Sequence, residues 1–167
     1  GGFGVASGWL TAQAPLGAEV ALRLRAHVNF RAGDNAGRPL LLIGNGTGLA
    51  GLRAHLKARV AAGRGDQWLV FGERQAAHDA HHRDEIDGWL ARGAIERVDW
   101  VFSRDQAARR YVQDLLRERA ARVREWVARG AAIYVCGSLA GMAGGVEAAL
   151  IEVLGADGVD ALIESGR

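Results

Sequence analysis

Four short apolar runs, at 40–43, 67–71, 95–102 and 131–135, alternate with stretches of helical periodicity, and this alternation constrains the fold more than anything else in the chain. A continuous apolar run is what a strand buried on both faces requires. The first run closes on Gly44 and the second on Gly72. Residues 48–62 set Leu49, Leu52, Leu56 and Val60 on one helical face. Residues 78–92 read as a charged amphipathic helix whose apolar stripe is Ile86, Trp89 and Leu90. Residues 111–129 read as a helix with room for one break, and 139–154 and 159–165 as two more. Strand–helix alternation at this spacing means crossover units and a parallel sheet. The expected architecture is α/β, a doubly wound parallel sheet of about five strands.

The remaining composition narrows the function classes. The chain has 167 residues, enough for one domain with a sizeable core. A formal net charge of +2 gives no reason to expect a polyanion, so no nucleic-acid partner is expected. Arginine carries nearly all the positive charge, since Lys57 is the sole lysine, and an arginine-rich coding bias accounts for most of it. Cys136 is the single cysteine, which excludes an intrachain disulfide. No signal peptide and no membrane-length apolar run are present, so a cytoplasmic segment without membrane contact is expected. The first residue is glycine rather than methionine, and both ends read as cut points in a longer protein. Residues 19–28 alternate apolar and polar, as in a half-exposed antiparallel strand, and 32–38 form a loop with two glycines.

Ligands of doubly wound sheets sit at the carboxyl ends of the strands, which directs attention to four short windows. The first is Gly44-Asn45-Gly46-Thr47-Gly48-Leu49-Ala50-Gly51. A glycine run between strand and helix admits a diphosphate close to the backbone, and the helix start adds free N–H groups. Gly46, Gly48 and Gly51 match the dinucleotide pattern G-x-G-x-x-G, a weak signal alone. The second window, Phe71-Gly72-Glu73-Arg74, places an acid 22 residues after Gly51, where an ordinary NAD dehydrogenase holds its ribose. The third offers Ser103, Arg104 and Asp105, then Arg109, Tyr111 and Gln113, a set suited to a ribose phosphate and an adenine ring, or to a plain charged loop. The fourth is Cys136-Gly137-Ser138, a thiol that is either a small core residue or a contact at the ligand edge. His78, His81 and His82 invite a metal reading, but no third distant ligand accompanies them, and a solvated helix face fits better.

Taken in order, these segments resemble the ferredoxin-reductase-like C-terminal half of diflavin reductases, above all the flavoprotein subunits of NADPH–sulfite reductases. The resemblance is carried by Leu41-Leu42-Ile43-Gly44-Asn45-Gly46-Thr47-Gly48-Leu49-Ala50, Trp68-Leu69-Val70-Phe71-Gly72-Glu73-Arg74, Ser103-Arg104-Asp105-Gln106, Tyr111-Val112-Gln113 and Ile133-Tyr134-Val135-Cys136-Gly137-Ser138. It implies a NADPH-binding module that presents its cofactor to FAD, with electrons passing to FMN and then to a haem or iron–sulfur acceptor protein. Gly44, Gly46, Thr47 and Gly48 would then cradle the NADPH diphosphate. Ser103, Arg104 and Arg109 would hold the 2′-phosphate, Tyr111 and Gln113 would line the adenosine site, and Arg74 would be a further NADPH-binding residue. Cys136 and Ser138 would lie beside the carbon that gives up hydride. Gly4, Val5, Ala6 and Ser7 look like the family's segment at the FAD diphosphate, and 19–31 like the last strand of an antiparallel FAD-binding barrel. The implied division is a barrel remnant at 1–31, a linker at 32–38 and a NADP(H)-binding domain at 39–167, with the FAD and FMN domains of a parent chain as partners.

The chain departs from that family in several places. Asn45 and Gly51 stand where proline is usual, Leu52 where an aromatic is usual, Ser138 and Gly145 where acids are usual. The aromatic that closes the family's sequence is absent from these 167 residues, as is most of the flavin-binding barrel. A fragment that binds NADP(H) and catalyses nothing is therefore an alternative, and an ordinary NAD dehydrogenase using Glu73 is another.

Overall fold

The computed structural model describes residues 4–23, 25 and 30–167, and of residues 139 and 140 only the backbone. Strands β1 (Leu40–Asn45), β2 (Gln67–Glu73), β3 (Arg97–Phe102) and β4 (Ala132–Cys136) form one sheet in the order β3-β2-β1-β4. All three pairings are parallel, with Ile43 opposite both Val70 and Val135. Helices α2 (Leu49–Ala61), α4 (Arg83–Ala91), α5 (Val112–Glu118), α6 (Ala120–Ala128), α7 (Gly144–Leu154) and α8 (Ala156–Glu164) make up most of the rest.

The sheet separates two cores, because successive strand residues face opposite ways. Leu41, Ile43, Trp68, Val70 and Val101 face α5, α6 and α7, where Leu116, Trp126 and Val146 meet them. Leu40, Leu42, Leu69 and Phe71 face α2 and α4, where Leu52, Leu56, Ile86 and Trp89 meet them. Leu40 to Ile43 are each 0% exposed, and each such burial is worth roughly 1.5–3 kcal/mol. Helices on both faces make the sheet doubly wound, as the apolar runs require.

The chain differs from the sequence-based expectation in definite places. The sheet has four strands among the described residues rather than about five, and β4 is an outer edge. Strand β2 runs through Gly72 to Glu73 because Gly72 and Glu73 still pair with Val101 and Phe102. Ile95 is buried but belongs to the turn before β3. The helix expected over 78–92 is broken: α3 (Ala76–Asp79) and α4 are separated at His82, whose φ of 59° is left-handed. Asp79 drives that break, since its side chain accepts from Gln75 N–H and its carbonyl from His81 N–H. The stripe on α4 is accordingly narrow, with Ile86 and Trp89 buried and Leu90 exposed. Residues 111–129 divide at Arg119, and the expected helix over 139–154 begins with a π-helical turn, Leu139–Ala143.

At the N-terminus, α1 (Val5–Gly8) continues into a π-helical turn, Trp9–Gln13. Residues 18–23 and 25 carry no regular structure, and residues 24 and 26–29 of the expected barrel strand lie outside the described residues. The loop at 32–38 contains a 3-10 turn, Gly33–Gly37, tied to the domain by Asn35 Nδ2, which donates to Gly166 O (2.7 Å) and Tyr134 Oη (3.3 Å).

Candidate functional site

The four strands end on one side of the sheet, and a single open cavity of about 680 Å³ runs across all four ends. The strand order reverses between β1 and β4, so this cavity straddles the topological switch point. Its volume lies in the range of small-molecule and cofactor sites.

At the β1–β4 end the wall is backbone. Asn45, Gly46 and Thr47 face Gly137 and Ser138 across the gap. Gly46 has a φ of 53°, a conformation that side chains resist, and it turns the chain out of β1 into the short 3-10 turn that opens α2. Gly48 lies so close to β4 that a β-carbon there would overlap the carbonyl oxygen of Cys136. No side chain caps the Gly46–Gly48 turn or the start of α2, and Leu49 N–H is taken by the Gly46 and Thr47 carbonyls, so the N–H groups a diphosphate could meet are those of the turn itself.

At the β2–β3 end the wall is side chain. The ladder between these strands continues into their loops: Ser103 N–H donates to Glu73 O and Arg104 N–H to Arg74 O, each at 2.9 Å. Asp105 is drawn away from the arginines, since its carboxylate accepts from Ala76 N–H at 2.9 Å. Arg74, Arg104 and Arg109 all line the cavity and are exposed. Among the described residues none of the three is in an ion pair, whereas Arg53, Arg59, Arg97, Arg117 and Arg129 all hold carboxylates. Exposed guanidiniums that make no ion pair are the arrangement a phosphate completes.

Tyr111 sits at the N-cap of α5, where its N–H donates to Asp114 Oδ2 at 2.9 Å. Its ring is 42% exposed and lines the cavity. Gln113 packs over Gly145, where a β-carbon would stand 3.1 Å from its amide carbon. The glycine that replaces the family's acid is thus roofed by this amide. Glu73 also lines the cavity, and burial, reinforced by Asp79, raises its carboxyl above the usual range.

The structure therefore gathers Gly46, Thr47, Arg74, Ser103, Arg104, Arg109, Tyr111, Gln113 and Ser138 on one wall. Gly44 and Gly48 lie behind it, buried in the turn they shape. Cys136 does not face the cavity. Its Sγ lies beside Gly51 and Phe30 on the α2 side of the sheet, and burial raises its thiol pKa. Gly4 to Ser7 are elsewhere, at the start of α1. The broken helix puts His78 on α3 and His82 at the start of α4, and no three potential metal ligands cluster among the described residues.

Several wall residues carried no site signal in the sequence. Asn45 reads only as a departure from proline, and Arg110 as a neighbour of Arg109. Arg110 lines the cavity while its guanidinium is engaged by Glu118. Val101, Val112 and Met142 supply the apolar floor, which periodicity assigns to core and not to site.

The family model for the oxidoreductase NAD-binding domain matches residues 42–148. The chain is 38% identical over 156 residues to the sulfite reductase [NADPH] flavoprotein alpha-component of Mannheimia succiniciproducens, covering 93% of this chain and 26% of that protein. It is 40% identical over 152 residues to the proteins of the same description from Shewanella oneidensis and Salmonella paratyphi B, covering 90% of this chain and 25% of each of them. The chain thus spans about a quarter of the length of these relatives.

Proposed function

The chain belongs to the oxidoreductase NAD-binding domain family, and from that premise we propose that it is the NADPH-binding module of a flavoprotein reductase of the sulfite-reductase kind. The observation that carries the reading is the pair of unlike ends of one cavity. One end has the backbone of a glycine turn at a helix start, and the other has three arginines that make no ion pair among the described residues. A dinucleotide has matching ends, a diphosphate toward its middle and a 2′-phosphate on its adenosine.

The residues present fit that cofactor. Arg104, Arg109 and Ser103 hold the 2′-phosphate, with Arg74 alongside. Tyr111 offers its exposed ring to the adenine, and Gln113 its amide to the adenosine. Gly46, Thr47 and the start of α2 receive the diphosphate, and the turn formed by Gly44 and Gly48 keeps β1 and β4 close enough to share it. Ser138 lies on the cavity wall at the nicotinamide end, and Cys136 lies just behind it. The chemistry supplied by the bound pair is hydride transfer from NADPH to FAD; the residues here bind and orient. Gly4, Val5, Ala6 and Ser7, at an uncapped helix start, hold the FAD diphosphate. In the longer protein the acceptors are FMN and then a haem or iron–sulfur partner. The parts of this chain are a barrel remnant at 1–31, a linker at 32–38 and the NADP(H)-binding domain at 39–167, in a cytoplasmic setting.

The 2′-phosphate assignment is tested by Arg104→Ala. Charge-assisted hydrogen bonds contribute about 1.5–3 kcal/mol each, and about 1.4 kcal/mol is tenfold in affinity. The variant should bind NADPH at least tenfold more weakly and NADH almost as before, measured by titration. Equal losses for both cofactors overturn the assignment.

A further inference from the structure

The end of β1 carries a side chain that no glycine motif calls for. Asn45 spans the switch point: its Oδ1 accepts the Ser138 N–H, at 3.2 Å, across the gap between β1 and β4. The fit around it is close. A β-carbon at Gly137 would overlap Asn45 Oδ1 and stand against Met142, so the Gly137-Ser138 turn is shaped around this amide. Because the Ser138 partner is a donor, the amide has one possible orientation, with oxygen toward β4. Its Nδ2 is thereby turned away from Ser138, and no hydrogen bond among the described residues engages it. Asn45 lines the cavity together with Gly46 and Thr47.

We propose that Asn45 is a positioning and binding residue for the diphosphate of the dinucleotide, its amide fixed by Ser138 and its Nδ2–H donated to a diphosphate oxygen. This rests on the dinucleotide reading given above. An amide held by one hydrogen bond before the ligand arrives loses little freedom when it makes the second. The donor adds to the N–H groups of the turn at the point where the two strand ends diverge.

The test uses the whole chain and three probes: NADP⁺, NAD⁺ and adenosine 2′-phosphate. The last has the 2′-phosphate but neither phosphate of the diphosphate bridge. Asn45→Ala should weaken NADP⁺ and NAD⁺ by a similar factor, about tenfold, and leave adenosine 2′-phosphate unchanged. Asn45→Asp keeps the oxygen that accepts from Ser138 and replaces the donor with negative charge, so it should weaken both dinucleotides further. Undiminished adenosine 2′-phosphate binding shows that either variant is folded. An unchanged NADP⁺ affinity in Asn45→Asp overturns the proposal. So does an equal loss for all three probes, which would reduce Asn45 to a brace for the turn. Arg104→Ala separates the two inferences. If it fails to discriminate NADP⁺ from NAD⁺ while the Asn45 pattern holds, the 2′-phosphate reading falls and the diphosphate site stands.

Discussion

The two ends of the cavity are built from different materials. At the β1–β4 end the wall is mostly backbone, shaped by glycines packed against the neighbouring strand, with the Asn45 amide beside it. At the β2–β3 end they are exposed guanidiniums, a hydroxyl and a phenol ring, carried on loops that the β2–β3 ladder ties together. Backbone groups serve any diphosphate and are lost only with the fold around them. A side-chain site can be stripped piece by piece without touching the fold. On the proposed reading, affinity for dinucleotides in general belongs to the first end, and preference among them to the second.

The largest effect should come from Gly48→Ala. The added methyl meets the Cys136 carbonyl, a backbone atom that cannot swing aside. Overpacking of this kind costs about 3 kcal/mol, which for a chain of this length lowers Tm by roughly 6–12 °C. NADP⁺ and NAD⁺ binding should fall together. A melting curve that superimposes on that of the unsubstituted chain would show that β1 and β4 are not locked at this point. The double variant Arg104→Ala/Arg109→Ala is the counterpart at the other end. It should weaken NADP⁺ by about a hundredfold or more, barely change NAD⁺, and leave Tm where it was, since neither arginine is in an ion pair among the described residues.

The two ends also differed in how far they could be read from sequence. The strands were legible because runs such as Leu40 to Ile43 have one use in a chain of this kind, burial on both faces. Once strands and helices alternate, the ligand edge follows from topology, which points to the segments after Ile43, Phe71, Phe102 and Val135. What periodicity does not carry is the direction of a side chain at a strand end. Cys136 and Ser138 are neighbours in sequence, yet Ser138 lines the cavity and the thiol turns toward Gly51 and Phe30. Nor does it carry partnership. Arg104 and Arg110 look alike in sequence, and only the fold shows Arg110 engaged by Glu118 while Arg104 makes no ion pair among the described residues. The break at His82 was hidden for a related reason: it depends on hydrogen bonds that Asp79 makes to its own neighbours, inside a stretch whose charge pattern suits a continuous helix.

Tyr111, at the β2–β3 end, sharpens the boundary between the two ends. On the proposed reading the adenine meets its ring rather than its hydroxyl, and the N-cap is secured by the backbone N–H to Asp114. Tyr111→Phe should therefore bind both cofactors as before. Tyr111→Ala should lose roughly twofold to tenfold for NADP⁺ and NAD⁺ alike, the worth of an aromatic contact of about 0.5–1.5 kcal/mol. A loss confined to NADP⁺ would move Tyr111 into the phosphate site.

The smallest effect separates this reading from the ordinary dinucleotide fold, in which an acid at Glu73 would hold the ribose. Burial is the first cause of the raised Glu73 carboxyl pKa, and the nearby Asp79 is the second. A carboxyl that holds its proton more tightly in the folded chain than in the unfolded chain disfavours folding when ionised. Stability should then fall as pH rises through the raised pKa, and Glu73→Gln should melt slightly above the unsubstituted chain at pH 7. The gap should close as pH is lowered through that pKa, and vanish once the carboxyl is protonated in both states. Glu73→Gln also removes a negative charge from a cavity meant for phosphates, so neither cofactor should bind more weakly. A collapse of NAD⁺ binding with NADP⁺ intact would make Glu73 the ribose acid, and the arginine end would lose its claim to set the preference.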